Sequence, residues 1–249
     1  MDMRILVTND DGIYSPGIAC LAKVASRFGE VTVVAPDVEQ SSMGHAITAS
    51  RPLNYKASPI KFDNLQAYRV NGTPADCVAL GMHLWATTDV VLSGINMGTN
   101  LGNAMWHSGT LAAAKQAVLL GCKGIALSTV TDKIEPDFDA LEPYVEEALN
   151  LLLGKPDDEV RLINVNFPPN PTGIQWTRQS VRLYDNEVVP ATDPRGRKLY
   201  WFNTIPLEPA EEGTDRWAVE NGYTSITPLR LDLTDEKALA RAIVKTQHV

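Results

Sequence analysis

Met3-Arg4-Ile5-Leu6-Val7-Thr8-Asn9-Asp10-Asp11-Gly12 is an apolar run stopped at once by three polar side chains and a glycine. A strand buried on both faces of a sheet reads this way, apolar throughout until it reaches solvent. The same texture returns at Val31 to Ala35, Tyr68 to Val70, Val90 to Ser93, Gly124 to Ser128 and Leu162 to Val165. Helical spacing fills the intervals. Ile18, Leu21, Ala22 and Ala25 recur on one face of a segment that runs to about Phe28. Thr73 is placed as an N-cap before Pro74 and Asp76, opening a helix to about Trp85. Two more helices are expected over Thr110 to Leu120 and Leu141 to Leu153.

Apolar strands alternating with helices mean a mostly parallel sheet covered on both faces, and right-handed crossovers collect the strands' carboxyl ends on one rim. The expected fold is a Rossmann-like three-layer α/β sandwich over residues 1–168. Past Pro168 the texture changes. Gln179 to Tyr184 and Lys198 to Thr204 read as strands around a turn at Asp193-Pro194-Arg195-Gly196, and Leu233 to Lys245 reads as a helix capped by Thr234. Residues 169–249 are therefore expected to form a β-rich and helical oligomerisation extension, either separate from the core or counted with it.

The 249 residues are 44% apolar and 21% charged, an ordinary globular balance that can bury a core without disulfides or structural metals. A net charge of −8 argues against a protein that coats nucleic acid, although a bound cation would still allow a small anionic substrate. Cys20, Cys77 and Cys122 are scattered among apolar neighbours and read as buried thiols in a reducing compartment. The first residues lack the apolar length of a secretory signal, and no apolar stretch is long enough to span a membrane. A cytoplasmic protein is expected.

Ligands of open α/β sheets bind at the strands' carboxyl ends, which selects three loops. Asn9-Asp10-Asp11-Gly12 places two carboxylates side by side, where a divalent cation relieves their repulsion; an Asx turn capping the next helix is the plainer alternative. Gln40-Ser41-Ser42-Met43-Gly44-His45 offers hydroxyls to an anion or a hard cation, or is simply a solvated loop. The third loop runs from Gly94 to Gly109 and ends in Ser108-Gly109-Thr110 at a helix start, where hydroxyls, backbone N–H groups and the positive dipole end can cradle a phosphate. It matches neither the Walker pattern nor the dinucleotide glycine fingerprint. Oxygen donors without a cysteine cage favour Mg²⁺ or Mn²⁺, and such an ion beside an anion cradle points to phosphoryl chemistry.

Taken together, Ile5 to Ile13, Val34-Ala35-Pro36-Asp37, Gly72-Thr73-Pro74-Ala75-Asp76-Cys77, Ser93-Gly94-Ile95-Asn96 and Ser108-Gly109-Thr110 resemble the SurE family of survival-protein nucleotidases. The likeness continues more loosely through Gly213 to Ala218 and Ile226 to Leu229. It implies hydrolysis of nucleoside 5′- and 3′-monophosphates, with short polyphosphate as a side substrate. It also implies one divalent metal per subunit, held at positions that match Asp10, Asp11, Ser41 and Asn96, with Ser42 standing beside Ser41. Asn9, Asn96, Ser108, Gly109 and Thr110 match phosphate-contacting positions. Homodimers or tetramers through exchanged C-terminal segments are implied as well.

On this reading Asp10 both ligates the ion and helps activate a water that attacks phosphorus in line, with Asp11 beside it. Asp10 as a direct nucleophile stays open, although the Asp-x-Asp signature of haloacid-dehalogenase phosphatases is absent. His45 and His107 lie in rim loops and are candidate general acids, or else only shape those loops. Tyr200-Trp201-Phe202 suits an interface or core better than base stacking. A non-catalytic nucleotide-binding module is the main alternative; it leaves the paired carboxylates unexplained. An NAD-dependent oxidoreductase would need a glycine fingerprint where Asn9-Asp10-Asp11-Gly12 stands.

Overall fold

The computed structural model describes residues 3–85, 87–131, 136–154, 160–181, 184–206 and 209–246. Among the described residues, nine strands form one sheet in the order β3-β4-β2-β1-β5-β6-β7-β11-β8. Here β1 is Met3–Thr8, β2 Gly29–Pro36, β3 Tyr55–Ala57, β4 Gln66–Val70, β5 Val90–Met97, β6 Lys123–Thr129, β7 Leu162–Phe167, β8 Ile174–Trp176 and β11 Thr224–Leu229. The run β4-β2-β1-β5-β6-β7 is parallel throughout. A separate antiparallel ribbon pairs β9 (Tyr184–Thr192) with β10 (Lys198–Pro206).

Helices α1 (Pro16–Ala25) and α4 (Phe138–Leu153) pack together on one face, and α2 (Pro74–Leu84) and α3 (Gly109–Leu119) on the other. The sequence expectation of a three-layer α/β sandwich with a mostly parallel sheet holds. Each helix starts where a short polar side chain satisfies a free backbone N–H. Ser15 accepts from Gly17 ahead of α1, and Thr73 and Asp76 form a reciprocal capping box on α2. Ser108 accepts from Leu111 on α3, and Asp137 from Ala140 on α4.

The chain runs from β1 outward through β2 to β4, then returns to β5 on the other side of β1. The sheet therefore switches direction between β1 and β5, and their two terminal loops open side by side at the carboxyl rim. This places Asn9-Asp10-Asp11 next to the end of the strand that carries Asn96.

Several boundaries differ from the sequence expectation. Residues 179–181 are not a strand, 182–183 lie outside the described residues, and β9 begins only at Tyr184. The last helix, α6 (Glu236–Thr246), is capped by Asp235, whose carboxylate accepts from Ala238 N, and not by Thr234. Helix α1 stops at Ala25, and α4 starts at Phe138 with Pro143 inside it. Strand β3 and a 3-10 turn at Gly102–Trp106 carry no apolar period and were not anticipated. Two elements after residue 168 join the main sheet: β11 runs antiparallel to β7, and β8 lies along β11. A short helix, α5 (Asp215–Glu220), precedes β11. Among the described residues no helix is long and apolar enough to cross a membrane. All three cysteines are free and buried, as their neighbours implied.

Candidate active site

Asp10 is buried at the end of β1 and meets the start of α3. Thr110 Oγ1 donates to Asp10 Oδ1 across 2.6 Å. Gly109 makes this approach possible, because a Cβ there would fall 2.9 Å from Asp10 Oδ2 and 2.8 Å from its Cβ. Burial pushes the Asp10 carboxyl above its ordinary range, while the Thr110 hydroxyl and the amides of Asp10, Thr110 and Gly109 pull it back. Asp11 is pushed up to about 6, first by burial and then by the charge of Asp10, with Glu39 adding to it. Its Oδ2 accepts the backbone N–H of Met97 at 3.2 Å, leaving Oδ1 for another partner.

Asn9 folds back on its own loop. Its amide donates to Gly12 O at 2.9 Å and accepts from Gly12 N at 3.2 Å, so the Asx turn is real, although Ser15 and not this turn caps α1. Gly12 sits at φ +91°, a region that side chains disfavour, and its N–H completes that turn. The turn and the paired carboxylates coexist, since the turn uses the side chain of Asn9 and leaves those of Asp10 and Asp11 to other partners. Asn96 donates through Nδ2 to Gly98 O at 2.6 Å, which leaves its Oδ1 available as a ligand oxygen.

The second loop reaches the same place through its backbone, with Gln40 N donating to Asp10 O at 2.7 Å. Ser41 follows directly, exposed, with its hydroxyl donating to Glu39 Oε1 at 2.7 Å. Ser42 turns the loop at φ +60°. Gly44 N then donates to the carbonyl of His107 at 2.9 Å, tying the second loop to the third.

His45 is held elsewhere. Its Nε2 lies 2.9 Å from Gln116 Oε1, roughly 10 Å along α3 from Gly109 at the helical rise. His107 is exposed and contributes backbone bonds to the loop. Neither ring is brought to Asp10 by a hydrogen bond. Ser108 caps α3 by accepting from Leu111 N at 3.0 Å, which fixes the helix N-terminus against Asp10.

Sequence reasoning missed a second tier of polar residues. Asn100 is buried behind Thr110 and bonds to it; Asn164 and Asn166 on β7 hold the Asn100 backbone. Asp215 was seen only as part of the looser family likeness, with no role, and Glu39 was not singled out. Only the spacing of Asn164 and Asn166, two polar positions in an otherwise apolar strand, hinted that β7 serves the rim.

Among the described residues no group of three His, Cys, Asp or Glu side chains converges as a metal cage. The donors expected from the sequence, two carboxylates plus neutral oxygens from Asn96 and Ser41, are of a kind that would suit a hard divalent ion and no soft one. The buried hydroxyls of Thr8 and Ser93 have no protein partner, so the strand ends beneath the loops are polar. Asp10 lies against the α3 N-terminus, and Asp11 feels the charges of Asp10 and Glu39, so an anion meets repulsion there unless a cation intervenes.

Residues 5–186 match the family model described as survival protein SurE. The chain is 47% identical over 234 residues to 5′-nucleotidase SurE 1 of Thermus thermophilus, covering 93% of each sequence. It is 43% identical to 5′-nucleotidase SurE of Deinococcus radiodurans, over 93% of this chain and 88% of that one. The crystal structure of the SurE protein from Aquifex aeolicus superimposes with a TM-score of 0.82 at 39% identity, over 96% of this chain and 97% of that chain.

Proposed function

Since this chain belongs to the survival protein SurE family, we propose that it is a phosphoric monoester hydrolase that releases phosphate from nucleoside 5′-monophosphates. One observation carries the reading. The buried Asp10 carboxylate, its neighbour Asp11 and the N-terminus of α3 meet at the point where the sheet changes direction. An anion cradle facing two carboxylates has a use when a cation and a phosphate share the space.

Asp10, Asp11, Asn96 and Ser41 would hold one divalent ion, Mg²⁺ or Mn²⁺, which supplies Lewis acidity toward the phosphoryl oxygens. The positive dipole end at the start of α3 orients the phosphate. Asp10 accepts the proton of the attacking water, and the Thr110 hydroxyl keeps that carboxylate in place. Rapid-quench trapping of phosphate on Asp10 would replace this water route by an aspartyl-phosphate route.

Nucleoside 3′-monophosphates and short polyphosphate fall within the same proposal, because the cradle contacts phosphate and not the ester group. A cytoplasmic location and a homodimer or homotetramer belong to it too. Helix α6 has no buried residue and the β9–β10 ribbon stands apart from the sheet, and neither kind of element is stable alone in water. A second copy of the chain gives both a surface to pack on.

The test is phosphate release from a panel of nucleoside monophosphates, with EDTA and then with Mg²⁺ or Mn²⁺ restored, for wild type and Asp10→Asn. Release that returns with metal in wild type alone supports the reading. Folded wild type that releases nothing with any metal would reduce the rim to a nucleotide-binding site.

A further inference from the structure

The amide of Asn100 donates to two hydroxyls, Thr110 Oγ1 at 3.3 Å and Ser128 Oγ at 2.8 Å, so both of its N–H bonds are committed. Its backbone is clamped as well. Asn100 N donates to Asn166 Oδ1 at 2.8 Å, while its carbonyl accepts from Asn164 Nδ2 at 2.8 Å and Asn166 Nδ2 at 3.3 Å. Thr110, Ser128, Asn164 and Asn166 are all fully buried, and Asn100 nearly so. A residue held at its amide, carbonyl and side chain has one orientation.

That orientation has a polarity. A threonine hydroxyl carries a single proton and accepts through its lone pairs. Asn100 presents N–H to Thr110, so the Thr110 oxygen accepts and its own proton points to Asp10 Oδ1 at 2.6 Å. The reverse amide orientation would set a carbonyl oxygen against Thr110 and compete with Asp10 for that proton. The chain of donation runs from amide to hydroxyl to carboxylate, and its last bond is charge-assisted and short.

We propose that Asn100 is a positioning residue that acts through the Thr110 hydroxyl to fix which oxygen of Asp10 faces the cation and substrate. Oδ1 is committed to Thr110, whereas Oδ2 lies against Gly109, on the side kept open by the missing side chain. The Thr110 hydroxyl proton is then engaged by the protein and is not offered to a phosphate. The inference rests on the nucleotidase reading for its activity readout, but not for its metal-binding readout.

The experiment compares Asn100→Ala, Asn100→Asp, Thr110→Val, Thr110→Ser and the double variant Asn100→Ala/Thr110→Val. Mn²⁺ affinity is measured by calorimetry, kcat and KM by phosphate release, and folding by thermal melting. Asn100→Asp keeps the shape but has at most one proton for the two hydroxyls that the amide serves. It is expected to weaken Mn²⁺ binding at least tenfold and to lower kcat about a hundredfold, with KM within threefold of wild type. Thr110→Val should match it, and Thr110→Ser, which keeps the hydroxyl, should restore both quantities. In the Thr110→Val background, Asn100→Ala should change either quantity less than threefold, because the hydroxyl through which Asn100 acts is gone.

Losses that multiply in the double variant would overturn the proposal, and so would single Asn100 variants that melt early with Mn²⁺ affinity and kcat within twofold of wild type. If Asn100→Asp does not fold, the Ala variant and the Thr110 pair carry the same comparison. Wild type without metal-restored release would sink the nucleotidase reading, and the Mn²⁺ titrations would still decide the role of Asn100.

Discussion

Asp215 Oδ2 accepts the backbone N–H of Gly102 across 2.8 Å, joining the first turn of α5 to the loop that follows β5. Its other oxygen accepts from Ser180 N at 3.0 Å and Ser180 Oγ at 2.5 Å. One fully buried carboxylate thus fastens the C-terminal part of the chain to the loop containing Asn100. In Asp215→Ala these donors stay buried without an acceptor, each costing about 1–3 kcal/mol. A loss of at least about 3 kcal/mol in all, or about 6–12 °C or more in melting temperature, is expected for a chain of this size. A fall of less than about 2 °C in a thermal melt would show that the loop is anchored by other groups.

This anchor was invisible in the sequence for a physical reason. Gly102 and Asp215 stand 113 positions apart, and a single polar bond at that separation leaves no periodic trace. What was legible is local or repeated. The capping box of Thr73 and Asp76 spans three residues, and the inner strands β1, β2, β5, β6 and β7 are largely buried on both faces, so they appear as mostly apolar runs. Thr224-Ser225-Ile226-Thr227 of β11, by contrast, is polar although buried, since Thr177 bonds to Ser225 and Thr227 there. It therefore did not read as part of the sheet. Asp10 and Asp11 were legible as a charged pair at a strand end. The Asn100 relay behind Thr110 was not, and neither was the partner that holds His45 away.

Gly109→Ala places a methyl group 2.8 Å from Asp10 Cβ and 2.9 Å from Oδ2; the Cβ cannot rotate away, and the carboxylate is held by Thr110. Asp10 has to shift. Overpacking of this kind costs about 1–3 kcal/mol in stability. A displaced catalytic carboxylate is expected to lower kcat/KM about a hundredfold, near 2.7 kcal/mol of transition-state stabilisation. Steady-state kinetics on folded variant protein check it; wild-type kcat/KM would mean that the two backbones separate freely.

His45→Asn is expected to leave kcat within about twofold of wild type across the pH range, because the ring is tied to Gln116 on α3 and not to Asp10. General-acid catalysis is worth about 10²–10⁴-fold. A loss of that size with a missing limb in the pH profile would return His45 to the mechanism.

Trp201 and Phe202 are 65% and 82% exposed on the β9–β10 ribbon, more aromatic surface than a two-stranded ribbon keeps in water without a partner. Trp201→Ser combined with Phe202→Ser should lower the oligomer mass seen by light scattering, while the melting of the core changes by less than about 1 kcal/mol. An unchanged mass would place the ribbon outside the subunit interface.

The raised affinity of Asp11 for its proton sets a pH dependence whose sign can be worked out. Its ordinary value is 3.8, and burial beside Asp10 lifts it to about 6 in the folded chain. Between these values the unfolded chain has released the proton while the folded chain still holds it. The contribution of Asp11 to stability is therefore complete below the unfolded value, declines as pH rises through the window, and is gone above about 6. The loss amounts to about 1–3 kcal/mol in metal-free protein. Asp11→Asn removes this dependence. Urea denaturation with EDTA should then show the variant's stability, relative to wild type, rising between pH about 4 and 6 and level above that. Mn²⁺ at pH 7 should restore wild type and leave the variant unmoved, because a cation that binds the folded state stabilises it by mass action. A difference between the two proteins that is flat from pH 4 to 7 would mean that Asp11 titrates as it does in open solvent.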